Sequence, residues 1–122
     1  MLSLSDFVLM LKKIYRFSGS KSLQKVKDKG TLIKGNLMMI KFIVDEVDDV
    51  KFAVVVSKKI SKKAVTRNKI SRRIYESVRL YLKNSSIDAL NAVIFVSKKI
   101  LDSTYLEIEK EVHNLIKITQ KT

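Results

Sequence analysis

Two uninterrupted apolar runs, Phe52-Ala53-Val54-Val55-Val56 and Ala92-Val93-Ile94-Phe95-Val96, constrain the fold of this chain most. Each has the length of a strand, and each is apolar at odd and even positions alike, so each calls for cover on both faces. Between them, from about Arg67 to Lys83, the period changes to that of a helix. At 100° per residue, Ile70, Ile74, Val78 and Tyr81 fall within about 80° of one another and form a core-facing stripe. Strand, helix, strand is a βαβ unit, which predicts parallel strands, with Val50 to Val56 central and covered.

The flanks add regular elements with few breaks. Proline is absent, and the only glycines are Gly19, Gly30 and Gly35. A short helix is expected from about Ser20 to Lys29, stopped by Gly30. Strand-like residues run from Thr31 to Val44, bent at Gly35-Asn36, and Asp45-Glu46-Val47-Asp48-Asp49 makes a polar turn. Thr104 followed by Glu107 is a capping-box pattern that opens a last helix, with Tyr105, Ile108, Val112, Leu115 and Ile116 as its buried face. The expected fold is a two-layer α/β (α+β) sandwich of about four strands in a mixed sheet, with helices packed on it. The 122 residues suit one domain, spanning 12–122, preceded by an extension over 1–11. That extension is apolar but short, lacks a basic start and contains Asp6, so no membrane association and a cytoplasmic location are expected.

Charge narrows the function. Lys and Arg number 25 against 12 Asp and Glu, a formal net charge of +13. Self-repulsion on that scale opposes compaction and points to a polyanionic partner, nucleic acid first. The charge is also concentrated. Lys58, Lys59, Lys62, Lys63, Arg67, Lys69, Arg72, Arg73 and Arg79 lie within one stretch whose only acid is Glu76. Four of the five arginines are here, and arginine's planar fork suits phosphate oxygens. With so little opposite charge, ion pairing along the helix does not account for the run. The pentapeptide Val56-Ser57-Lys58-Lys59-Ile60 recurs as Val96-Ser97-Lys98-Lys99-Ile100. The repeat places four lysines at the C-terminal ends of both apolar strands, where open α/β sheets bind ligands.

A protein catalyst is hard to assemble from this inventory. Cysteine is absent, and His113 is the only histidine, which excludes thiolate chemistry and His-based metal clusters. The acids of the 45–49 turn point apart, and His113, at the edge of a helix stripe, has no partner by spacing. Tyr75 and Tyr81 read as packing residues. No catalytic and no metal-ligating residues are expected.

At Val56-Ser57-Lys58-Lys59, Ala64-Val65 and Arg67-Asn68-Lys69, followed by Arg72, the chain resembles the bacterial ribonuclease P protein component. The likeness extends loosely from Lys12 to Lys117, with Gln24 to Gly30 fitting the family's first helix and Thr104 to Glu107 the opening of its last. The resemblance implies an RNA-binding subunit of the ribonucleoprotein that removes the 5′ leader of precursor tRNA, in which the catalytic RNA performs Mg2+-dependent cleavage. It implies that Lys58, Lys59, Lys63, Arg67, Asn68, Lys69 and Arg72 face RNA, and the charge run adds Lys62, Arg73 and Arg79 to the expected RNA-binding set. It also implies a leader cleft at Leu23, Lys27, Met38 and Ile40, and a left-handed βαβ crossover, against the general right-handed rule. The sequence departs from the family at Ser61, in place of a glycine, at Lys69, in place of an arginine, and at Ser71, in place of a basic residue. Leu23, Lys27 and Ile40 stand where aromatics are expected. Two other readings fit the charge: a structural RNA-binding protein such as a ribosomal component, which leaves the motif spacing unexplained, and a DNA-binding regulator. The latter lacks a helix-turn-helix partner for the basic helix.

Overall fold

The computed structural model describes residues 20–44, 47 and 49–121. The 1–11 extension and most of the acidic turn, Asp45, Glu46 and Asp48, lie outside them. Helix α1 (Ser20–Lys29) leads into strands β1 (Thr31–Lys34), β2 (Met38–Ile43) and β3 (Val50–Val55). Helix α2 (Ala64–Asn84) crosses to β4 (Leu90–Val96), and a 3-10 turn (Lys98–Asp102) precedes helix α3 (Tyr105–Gln120). The sheet is open and mixed, in the order β1-β2-β4-β3. β3 and β4 are parallel, with Phe52 opposite Ala92 and Val54 opposite Ile94, as the βαβ pattern predicts. The other two pairings are antiparallel.

Alternation along the strands sorts side chains onto two faces. Met38, Ile40, Phe42, Phe52, Leu90, Ala92 and Ile94 point to one face. There they pack with Ile70, Ile74 and Val78 of α2 and Ile108, Val112, Leu115 and Ile116 of α3. This is the main core. α1 lies against the other face, over β2 and β4, where Val26 and Val93 are both buried outside the main cluster. Gly30 ends α1 as expected, its N–H donating to the Val26 carbonyl at 2.8 Å. A Cβ there would lie 2.5 Å from that same oxygen, so only glycine allows so close a return.

Three expectations need correction. β3 is an edge strand, not a central one; α2 covers its core face, and the Tyr75 hydroxyl accepts from the Val54 N–H at 3.1 Å. That bond occupies one of the donors on the open edge of β3. α2 starts at Ala64, three residues earlier than expected, because its N-cap, Lys63, makes no side-chain cap bond and so leaves no mark in the sequence. Tyr105 is 43% exposed rather than buried, since the first turn of α3 overhangs the core and Arg73 lies over its ring, 5.3 Å from the centroid.

The capping box forms as written in the sequence. Thr104 Oγ1 accepts from Glu107 N–H at 3.2 Å, and Glu107 Oε1 accepts from Thr104 N–H at 3.0 Å. The Thr104 N–H, and after it the Thr104 hydroxyl, hold the Glu107 carboxyl below its ordinary value of 4.5. A depressed carboxylate stabilises the fold above the unfolded pKa and loses that contribution as pH falls through the folded one. We therefore expect the acid-side fall in thermal midpoint to be shallower for Glu107→Gln than for the unaltered chain. Unfolding scans from about pH 6 to about pH 3 check this, and parallel curves would show that ionisation of the Glu107 carboxyl contributes nothing.

Candidate nucleic-acid interface

The two Ser-Lys-Lys-Ile segments fold alike. Ile60 N–H donates to Ser57 O at 3.0 Å, and Ile100 N–H to Ser97 O at 3.1 Å. Each isoleucine plugs into the main core, and each lysine pair is left exposed. Because β3 and β4 are parallel, both turns sit at the same end of the sheet, and Lys58, Lys59, Lys98 and Lys99 gather there. The repeat is thus a structural turn that carries charge. The link to α2 continues the display with exposed Lys62, Lys63, Asn68 and Lys69. Ser61 takes a part in this link that a glycine could not, since its Oγ accepts from Lys63 N–H at 3.2 Å. Its carbonyl accepts from the Arg67 guanidinium at 2.9 Å, which anchors that half-buried side chain beside the lysines.

Further along α2 the charge is partly spent inside the protein. Arg79 forms a bidentate pair with Glu76 at 2.5 and 3.0 Å, and its side chain is 21% exposed. The hydrogen bond to Glu76 raises the Arg79 pKa further. Arg73 covers Tyr105, and Arg72 is half-buried, with its Nε shielded and without a hydrogen-bond partner. The basic surface is therefore graded. Lys58 to Lys69 is open to a partner, whereas Arg72 is half-buried and Arg73 and Arg79 lie near Tyr105 at the start of α3. His113 joins α3 to α2; its Nε2 lies 3.0 Å from Ser77 O, and its ring meets Tyr81 edge-on at 5.3 Å.

A second surface lies on the α1 face of the sheet. Register places Lys34, Met39, Phe95 and Val55 in one row across all four strands. Met39, Phe95 and Val55 are half-buried, and the row ends beside the lysine turns. Leu23 and Lys27 flank buried Val26 on α1, and the Lys27 carbonyl accepts from Lys41 Nζ, which joins helix and sheet. Met38 and Ile40 cannot line this surface. They are 2% and 0% exposed in the main core, on the opposite side of β2. On the α1 face β2 presents Met39 and Lys41 in their place.

The Ribonuclease P family matches this sequence over residues 11–120. The chain belongs to that family. It is similar to the ribonuclease P protein component of Clostridium kluyveri, 30% identical over 105 residues that cover 85% of this chain and 93% of the relative. The component from a Geobacillus species is 30% identical over 109 residues, with coverage of 88% and 91%. Among solved structures, the Staphylococcus aureus RNase P protein superposes with a TM-score of 0.75 at 28% identity, covering 88% of this chain and 97% of that one. The Thermotoga maritima RNase P protein shares the fold, with a TM-score of 0.72 at 21% identity and coverage of 84% and 94%.

Sequence reasoning missed one residue on this ribonuclease P protein fold. Phe95 puts an aromatic on the α1 face, opposite Met39. Its signal was hidden in a fully apolar run, in which composition does not distinguish the two faces. Among the described residues, no group of three or more His, Cys, Asp or Glu side chains converges to hold a metal ion. Asp49, the described acid of the polar turn, is paired with Lys51 at 3.8 Å. Among the same residues, no helix is long and apolar enough to cross a membrane.

Proposed function

We propose that this chain is the protein subunit of the ribonuclease P ribonucleoprotein, binding its catalytic RNA through Lys58 to Lys69 and supporting removal of the 5′ leader from precursor tRNA. The observation that carries the proposal is the open lysine display at the ends of β3 and β4, continued into α2, within a chain of this family. Lysine and arginine groups there neutralise phosphates and release counterions, which supplies affinity without base reading. Asn68 adds a neutral donor and acceptor on the same exposed turn. Arg72, Arg73 and Arg79 lie further along the helix and make a smaller contribution, because their guanidinium groups are partly engaged within the protein.

The α1 face takes the single-stranded leader. Phe95 offers a ring, Met39 and Val55 offer apolar contact, and the flanking lysines follow the backbone, the combination that single-strand binding uses. Leu23 and Lys27 border this path. In this reading the protein has no catalytic residues. The RNA binds most of the Mg2+ and performs the endonucleolytic step in the cytoplasm.

Reconstitution tests the proposal. Adding the protein to its cognate ribonuclease P RNA at low Mg2+ is expected to raise precursor tRNA turnover. Tight RNA binding without any gain in turnover would overturn it in favour of a purely structural RNA-binding role.

A further inference from the structure

Glu111 lies on α3, on the core side of the sheet, and its carboxylate grips the loop that opens β2. Oε1 accepts from Asn36 N–H at 2.8 Å, and Oε2 accepts from Leu37 and Met38 N–H at 2.7 and 2.8 Å. Three successive backbone donors aimed at one carboxylate form an anion-binding concavity, here filled by the protein itself. Gly35 belongs to the same construction: a Cβ there would lie 2.9 Å from the Glu111 carboxylate and 2.8 Å from the Met38 carbonyl oxygen. The far side of the loop is tied to the second lysine turn. Leu37 O accepts from both the N–H and the hydroxyl of Ser97 at 2.9 Å, and Lys99 Nζ reaches Asn36 Oδ1 at 3.4 Å.

The placement of an acid here is unusual. A free carboxylate at the lysine-rich end of the sheet would repel a polyanion, but this one is taken up by three backbone donors. What it fixes is the start of the β2 alternation. Met38, whose N–H it binds, is the first residue of β2 and enters the main core, and this sends Met39 to the α1 face beside Phe95. A slip of one residue would exchange the two sets. The same grip holds Asn36 and Leu37, and through them the turn carrying Lys98 and Lys99.

We propose that Glu111 is a positioning residue for leader binding: from behind the sheet it sets the β1–β2 loop so that the Met39–Phe95 row and the Lys98–Lys99 turn form one surface. This rests on the reading that the leader lies on that face. The test uses holoenzyme reconstituted from the full chain and its ribonuclease P RNA, with precursor tRNAs carrying a long leader or a single-nucleotide leader. Glu111→Gln is expected to raise KM for the long-leader substrate about tenfold while leaving kcat within about twofold and the short-leader KM unaltered. A merely structural lesion would instead reduce the active fraction and lower kcat equally on both substrates, and that result overturns the proposal. Unaltered KM on both substrates overturns it as well. If Glu111→Gln does not assemble, Gly35→Ala, which crowds the carboxylate from the loop side, is read by the same criteria. Unaltered holoenzyme that handles both leaders identically refutes the leader reading itself, a result obtained before any variant is made.

Discussion

Replacing Lys62, Lys63, Arg67 and Lys69 together with alanine is expected to lower affinity for the ribonuclease P RNA roughly a thousandfold at about 0.1 M salt. Each phosphate contact contributes about 0.7–0.9 to the slope of log K against log salt, so four contacts remove about 3 from it. All four side chains project from the link and the first turns of α2. Lys62, Lys63 and Lys69 are exposed, and Arg67 is held beside them by the Ser61 carbonyl. Folding should be little affected, because removing mutually repelling surface charges relieves strain. Filter-binding or fluorescence titrations from about 0.05 to about 0.5 M salt give the slope directly. A slope equal to that of the unaltered protein would mean that this end of the sheet does not touch phosphate.

The pair Arg79 and Glu76 provides the internal control. Because the two charges neutralise each other at 2.5 Å, Arg79→Ala combined with Glu76→Ala should change the slope far less than the fourfold replacement does. From the sequence alone, nothing marked Arg73 or Arg79 as engaged within the protein. A helical wheel puts Arg73 well outside the Ile70-Ile74-Val78 stripe, but it cannot show that α3 packs along that flank. The neighbour converts Arg73 into a cover for Tyr105 and draws Tyr81 and Ser77 toward His113. Those contacts join residues about 30 to 40 positions apart, a separation that no local pattern encodes.

Local signals were legible wherever one residue decides one event. Gly30 ends α1, Thr104 and Glu107 open α3, and the change of period between Val56 and Ala92 yields the parallel βαβ pair. The strand order was not legible. Apolar runs state that a strand is covered but not by what, so β3 read as central although it is an edge strand whose core face a helix covers. The burial of Met38 and Ile40 was not legible for a related reason. In Leu37-Met38-Met39-Ile40 every residue is apolar, so the period-2 signal that separates the core face from the α1 face is absent, and the carboxylate that binds the start of the strand, Glu111, is 75 residues away from Asn36.

The two faces of the sheet separate two phenylalanines by function, and the second large effect follows from that. Phe52 is fully buried between β4 and the helices of the main core. Truncating it leaves a cavity in a close-packed interior, and Phe52→Ala is expected to cost about 3–5 kcal/mol of folding stability. That is a large share of the roughly 5–15 kcal/mol typical of a domain. Denaturant titration should show a lowered midpoint, and RNA affinity per folded molecule should be unchanged. Phe95 faces the other way, half-buried in the row with Met39 and Val55. Its replacement by alanine should cost less stability but weaken binding of a long-leader substrate by about 1–3 kcal/mol, the worth of one base stacked on an aromatic ring. Short-leader substrate should bind as before. If Phe95→Ala behaved as Phe52→Ala does, losing stability and leaving leader affinity intact, the α1 face would be packing surface rather than a path for single-stranded RNA.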